Sequence, residues 1–269
     1  MTLVRQVACV VLLTFCACYP YLPGEYDGLA VTLSLVAQAG ALAGLLLVPI
    51  GVLWLALEVR HRRYLAIGAA CGYLTVAAVV TVVAWVSSGL TFACVMLALS
   101  AYGLPRLVPP AQSIDAGLLT PLRLTVVPLA TFLLQVLLAD PLAEFSRGRA
   151  IASSASLIDD IERYRAAYGQ YPPSLAGVWP DYSVSVVGIE QFRYARHGDA
   201  YNLYFEQPVP LLDAPGTREF VVYNTRGEHL MLSHAAWNLT GAPEQLAGRQ
   251  GWYAVIDSPH PFWKRFRFD

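Results

Sequence analysis

Long uncharged apolar runs separated by short polar breaks fill the first 140 residues; beyond them the chain turns to helical and then two-residue periodicity. A helix crosses a hydrocarbon core of about 30 Å with about 20 apolar residues. Residues 6–23, 28–57 and 118–139 each supply one such run. Residues 65–105 hold no charged side chain over 41 positions. As one helix they would measure about 61 Å, twice a crossing. Ser87-Ser88-Gly89 near their middle predicts a turn. The pattern therefore predicts five spans, at about 6–23, 29–57, 65–86, 90–105 and 118–139, closed by Asp140-Pro141.

From 141 to 269 the expectation is an α+β domain. Ile151, Ala155, Ile158, Ile161, Tyr164 and Tyr168 recur at three- and four-residue intervals, an apolar stripe on one helix. Asp159, Asp160, Glu162, Arg163 and Arg165 cover its other faces. Gly169 is the expected left-handed stop, Pro172-Pro173 prevents resumption, and Ser174 can cap a short turn through Val178. Alternation follows: Tyr201, Leu203 and Phe205 against Asn202, Tyr204 and Glu206. Strands are expected at 183–187, 191–196, 200–206, 219–225, 228–232, 251–256 and 263–268, with turns at His197-Gly198-Asp199 and Arg226-Gly227. One long helix packed on an antiparallel sheet results.

Composition sharpens the division. The chain is 56% hydrophobic and 14% charged, where a soluble domain carries about a quarter charged residues. Residues 1–140 hold only Arg5, Arg60, Arg62, Arg63, Arg106 and Arg123 as basic groups, with five acids; the remainder holds twelve basic and fourteen acidic side chains. With the N-terminus in the cytoplasm, all six arginines fall on the cytoplasmic side, and Glu25, Asp27 and Asp140 fall outside. Five crossings then put residues 141–269 outside a bacterial cytoplasmic (inner) membrane; four, with residues 65–105 as one long helix, would leave them in the cytoplasm. Seventeen arginines against the single Lys264 fit a GC-rich bacterial genome, and a net charge of −1 argues against nucleic acid. The lipid bilayer is the implied partner. Cys9, Cys16, Cys18, Cys71 and Cys94 all lie in apolar runs and read as packing residues; Phe15 makes a poor lipoprotein cleavage site before Cys16.

Chemistry-bearing residues are sparse. Gln38 and Gln135 are the only long polar side chains at depth in the spans, each able to bond a neighbouring helix; Arg123, near the start of its span, can snorkel to the headgroups. Ala37, Gly40, Ala41 and Gly44 form small-residue rows suited to close packing within the bundle. His197, His229, His234 and His260 lack zinc-site spacing, and Ser233-His234 is poorly placed for a nucleophile and its base. Asp159, Asp160 and Glu162 read as a solvated face, and Asp213 with Glu219 as a solvated turn. Trp252, Tyr253, Phe262, Trp263, Phe266 and Phe268 are expected in the sheet core, while Lys264, Arg265 and Arg267 could form a rim for lipid or a partner. No catalytic, cofactor-binding or metal residue is assigned. A second reading, a membrane enzyme acting on lipid or cell-wall precursors at the outer face, would rest on Glu25, Asp27, Asp140 and Glu144.

The run from Ile158 through Tyr164, Gly169, Tyr171 and Pro172 to Leu175 resembles the helix end of type II secretion pseudopilins. There an amphipathic helix carries a Tyr, a Gly, a Tyr-Pro pair and a Leu, and leads into a small antiparallel sheet. The resemblance implies a pilin-like fold for the second half, and another envelope or secretion-system protein as partner. Four spans precede the corresponding helix, and residues 112–120 show no leader-peptidase site. Filament assembly is therefore not implied.

Overall fold

The computed structural model describes residues 3–56, 62–107, 119–178, 183–211, 217–227 and 253–268. They form six α-helices and a five-stranded antiparallel sheet. The chain divides into two compact units. One is Met1–Tyr19 with Leu29–Pro141; the other is Pro20–Gly28 with Leu142–Asp269.

The first unit is a bundle of apolar helices. Helix α1 (Leu3–Cys18) runs into a 3-10 turn at Tyr19–Tyr21. The second apolar run is broken into α2 (Ala30–Gly44) and α3 (Leu47–Ala56). Pro49 explains the break: it brings no N–H to the Leu45 carbonyl, and its ring crowds that group. The tighter bond of Val48 N to Leu45 O, 3.1 Å, takes its place. Helix α4 spans Arg62–Leu107, with Gly89 non-helical inside it at φ 82° and ψ −176°. The expected turn is thus a one-residue interruption. Helix α5 spans Leu119–Ser153 and runs through both Pro128 and Pro141. The helix thus continues past Asp140-Pro141, where the two compact units meet in sequence: one proline removes one backbone bond and leaves the flanking turns intact. Four described helical stretches are long and apolar enough to cross a membrane: Leu3–Tyr21, Ala30–Ala56, Tyr64–Gly103 and Pro121–Tyr168.

Helices α2 and α3 are the centre of the bundle. The Ser34 hydroxyl donates to Ala17 O of α1 at 2.5 Å, and Thr32 is hydrogen-bonded to Ser88 of α4. A Cβ at Gly40 would lie 3.3 Å from Val80, and Gly72 faces Leu47. On α5, Gln135 Nε2 reaches Ala37 O at 3.5 Å, Pro128 lies against Gly44, and the Pro121 carbonyl would be 2.9 Å from a Cβ at Gly51. As residue numbers rise along α2–α3 they fall along each neighbour. So α1, the part of α4 before Gly89, and α5 all run antiparallel to it. The small residues at 37, 40, 41 and 44 serve this packing. Gln38 donates to Ser34 of its own helix at 2.8 Å.

In the second unit, the end of α5 and α6 (Ala155–Tyr168) lie on one face of the sheet. Only Ser154 interrupts them; its hydroxyl donates to Ile151 O at 2.7 Å, while the Ser153 hydroxyl reaches Ala150 O and Val184 O, both at 2.9 Å. The buried stripe is Ala150, Ile151, Ser154, Leu157 and Ile161. Ala155 and Tyr168, expected on it, are exposed. Gly169 caps α6 at φ 75°, with its N–H on Arg165 O. Strands β1 (Arg193–His197), β2 (Ala200–Gln207), β3 (Arg218–Asn224), β4 (Tyr253–Asp257) and β5 (Trp263–Phe268) are ordered β1-β2-β3-β5-β4. The β1–β2 turn is Gly198-Asp199, between paired His197 and Ala200. Leu203, Phe205 and Val221 face the helices, and burial of each stabilises the fold by about 1.5–3 kcal/mol.

Residues 183–187, expected as a strand, instead receive the loop between α1 and α2. Val186 bridges Pro23, and backbone bonds join Gly24 N to Ser185 O, Val187 N to Leu22 O and Gly188 N to Pro20 O. Gly188 is required there: a Cβ would lie 2.6 Å from the Pro20 carbonyl. The strand expected at 228–232 lies outside the described residues.

Candidate functional site

The helix-facing side of the sheet changes character along its length, and the change locates the candidate site. Its end beside the C-terminus of α6 is aromatic; its end beside residues 144–147 is ionic.

The aromatic end is built on β2. Tyr201, fully buried, meets Tyr171 edge-on at 4.8 Å between ring centroids, Tyr194 at 5.4 Å and Tyr223 at 5.9 Å. Trp263 joins Tyr223 at 5.5 Å and Phe205 at 5.9 Å. The helix stop makes this possible: Gly169 turns the chain so that Tyr171 and Pro172 come back over the sheet, both buried. Polar groups then fix the rings. Arg165 donates to the Tyr171 hydroxyl at 2.6 Å and lies over its ring at 4.6 Å; Tyr171 donates to Glu162 at 3.2 Å. The Tyr194 hydroxyl donates to Pro172 O at 2.9 Å, and Arg196 to Tyr171 O at 2.9 Å. Burial pushes the Tyr171, Tyr194, Tyr201 and Tyr223 phenols above their ordinary range, and the Glu162 carboxylate adds to the effect.

Two aromatics at this end point outward. Tyr168 is 68% exposed and stacks on Tyr164 at 4.4 Å; Phe262 is 52% exposed and packs edge-on against Tyr223 at 6.2 Å. Phe262 sits at φ 65°, a conformation that bulky residues rarely adopt. Asn224 N bonds its carbonyl at 3.0 Å, and Trp263 beside it is buried. The expectation of Phe262 in the core is therefore corrected. It belongs to the turn Ser258-Pro259-His260-Pro261, whose prolines were the signal, and not to the strand. Trp263 and Phe266 are in the interior on opposite faces of β5.

At the ionic end Glu219 corrects a second expectation. It is no solvated turn residue; it is on β3 and 1% exposed. Arg147 donates to its Oε1 from Nη2 at 2.8 Å and from Nε at 3.2 Å, and Arg267 to its Oε2 from Nε at 2.6 Å. Glu144 pairs with Arg147 one turn away. Desolvation, with the Arg147 charge behind it, lowers the half-buried Arg265 guanidinium's pKa. Lys264 faces the other way, 3.7 Å from Asp257. The three basic residues of β5 are thus split between faces. Sequence reading passed over Arg147. Its signal was position, since 147 extends the 150, 154, 157, 161 spacing by one more turn.

Among the described residues, the other candidates do not come together. Asp160 pairs with Arg163, Glu162 holds Tyr171, and Glu25 accepts from Ser183 at 3.3 Å. His197 is on β1 and His260 in the turn before β5. His229, Ser233, His234, Asp213 and Trp252 lie outside the described residues. Among the described residues, no three His, Cys, Asp or Glu side chains come together as metal ligands. No family model, curated protein or solved structure matches this chain.

Proposed function

We propose that this is a multi-pass membrane protein of the bacterial envelope, presenting a pseudopilin-like domain outside the cytoplasm to another envelope protein. The observation that carries the reading is the exposed Phe262, packed edge-on against Tyr223 of the aromatic cluster, with Tyr168 also exposed at the end of α6. Exposed aromatics on a preorganised support are what protein interfaces use as anchors. A non-glycine residue held in the left-handed region, as Phe262 is, marks a place where local strain serves a contact. The helix ending at Gly169, the return of Tyr171-Pro172 over the sheet and the antiparallel strands support the pilin-like reading.

Helix direction supports five crossings. The part of α4 up to Ser88 and α5 both run antiparallel to α2–α3, and so parallel to each other. A return through the bilayer between them fits this arrangement. The stretch from Gly89 to Leu107 is uncharged up to Arg106, and a helix of that length reaches about 27 Å. The loop Pro20–Gly28 also belongs to the same compact unit as residues 142–269, which supports an even number of crossings between them. The arginine distribution then puts the N-terminus in the cytoplasm.

Photo-crosslinkers placed at Tyr168 and Phe262 are expected to capture one common envelope protein, and one at Phe145 is not. Equal capture from all three positions, or none from any, rejects the interaction reading. For the topology, Ser88→Cys is expected to react with an impermeant maleimide from outside and Leu107→Cys only after lysis. The opposite pattern at Leu107 leaves four crossings.

A further inference from the structure

We propose that a groove in the helix bundle holds one acyl chain of an anionic phospholipid, whose phosphate is gripped by Arg123. The groove encloses about 190 Å³ within the first unit, between α1, α2, α4 and α5. Leu13, Gly40, Gly44, Tyr73, Arg123 and Thr131 are among the residues lining it. Arg123 lies four residues from the start of α5, and Thr131 two turns deeper, about 12 Å along the axis. The site therefore has the layout of a lipid, with a cation near the interface and an apolar channel running inward. Arg123, expected to snorkel to the headgroups, lines the groove together with Tyr73.

Three physical arguments select the occupant. Water gains little in a space whose lining is apolar. Lipid chains are the solvent of this unit and fill gaps between helices without a hydrophobic penalty. The guanidinium fork matches a phosphate and favours an anionic headgroup over a zwitterionic one, as basic pockets between membrane helices do. The glycines give the groove its width: the Pro128 ring lies 3.4 Å from where a Gly44 Cβ would be. This inference needs only that the helices sit in a bilayer, and it is independent of the interaction reading above.

The test is native mass spectrometry of the full chain released from mixed micelles of phosphatidylglycerol and phosphatidylcholine with identical chains. Retention of one phosphatidylglycerol, favoured at least about ten-fold, is the expected result. Arg123→Gln is expected to bring the ratio to about one, and Arg123→Lys to leave an intermediate preference. Leu13→Trp, which fills the groove and keeps the cation, is expected to lose the lipid altogether. Equal retention of both lipids by the unsubstituted protein overturns the proposal, even if Arg123→Gln does not fold. So does glycerol phosphate competing as well as the intact lipid, which would make the site one for free phosphate.

Discussion

At Gly169 a single backbone angle ends a helix and begins a site. Its φ of 75° suits glycine, and nothing lies within 4 Å of where a Cβ would be. Gly169→Ala therefore meets no neighbour and suffers only the backbone penalty, about 1–2 kcal/mol. Thermal unfolding followed by circular dichroism should show that loss, with a smaller one for Gly169→Asn. Glu219 is the opposite case, a residue whose importance lies wholly in its partners. Glu219→Gln leaves Arg147 and Arg267 facing an amide in a buried place, and about 3 kcal/mol of stability should be lost in pulse proteolysis. Phe262→Gly separates stability from contact. The gain from relieving its φ and the loss of its Tyr223 packing are each about 1 kcal/mol and nearly offset. Stability should change little while crosslinking to the proposed partner disappears.

Elements in this chain are set by where prolines and glycines fall relative to the apolar runs. Pro49 splits the second run, Gly89 interrupts the third, and Pro141 lets α5 continue to Ser153. The same rule about proline gave one break and one continuous helix. The difference depends on whether neighbouring turns hold their bonds, which apolar periodicity does not encode. Glycines at close approaches are more predictable in effect. Gly51→Ala brings a methyl to 2.9 Å of the Pro121 carbonyl, so α3 and α5 must separate. Its melting temperature in detergent should fall well below that of Gly103→Ala, where nothing lies within 4 Å.

For the whole molecule, pH is a probe of the aromatic core. The phenols of Tyr171, Tyr194, Tyr201 and Tyr223 titrate higher in the folded domain than in the unfolded chain, chiefly through burial. Below about pH 10 both states keep these protons, and the stability is fully present. Above it the unfolded state ionises first, so stability falls as pH rises toward the folded values. Circular dichroism of the domain's strands should therefore collapse above about pH 10, and Tyr201→Phe should move that collapse to higher pH.

The helix at 155–168, its stop at Gly169 and the alternation of Tyr201, Leu203 and Phe205 were legible because each depends on residues near in sequence: a 3.6-residue stripe, a left-handed glycine, a two-residue period. Long uncharged runs likewise announced the apolar helices, since the bilayer tests composition alone. Other features required parts of the chain far from one another. β5 pairs with β3 and separates it from β4, the 20–28 loop bonds to residues 183–188, and Glu219 meets Arg147 across 72 positions. A solvated carboxylate and a buried, doubly paired one have the same letter and can have the same neighbours in sequence. Which of the two Glu219 becomes depends on a helix that ends 66 residues before it, and only packing brings that helix to it.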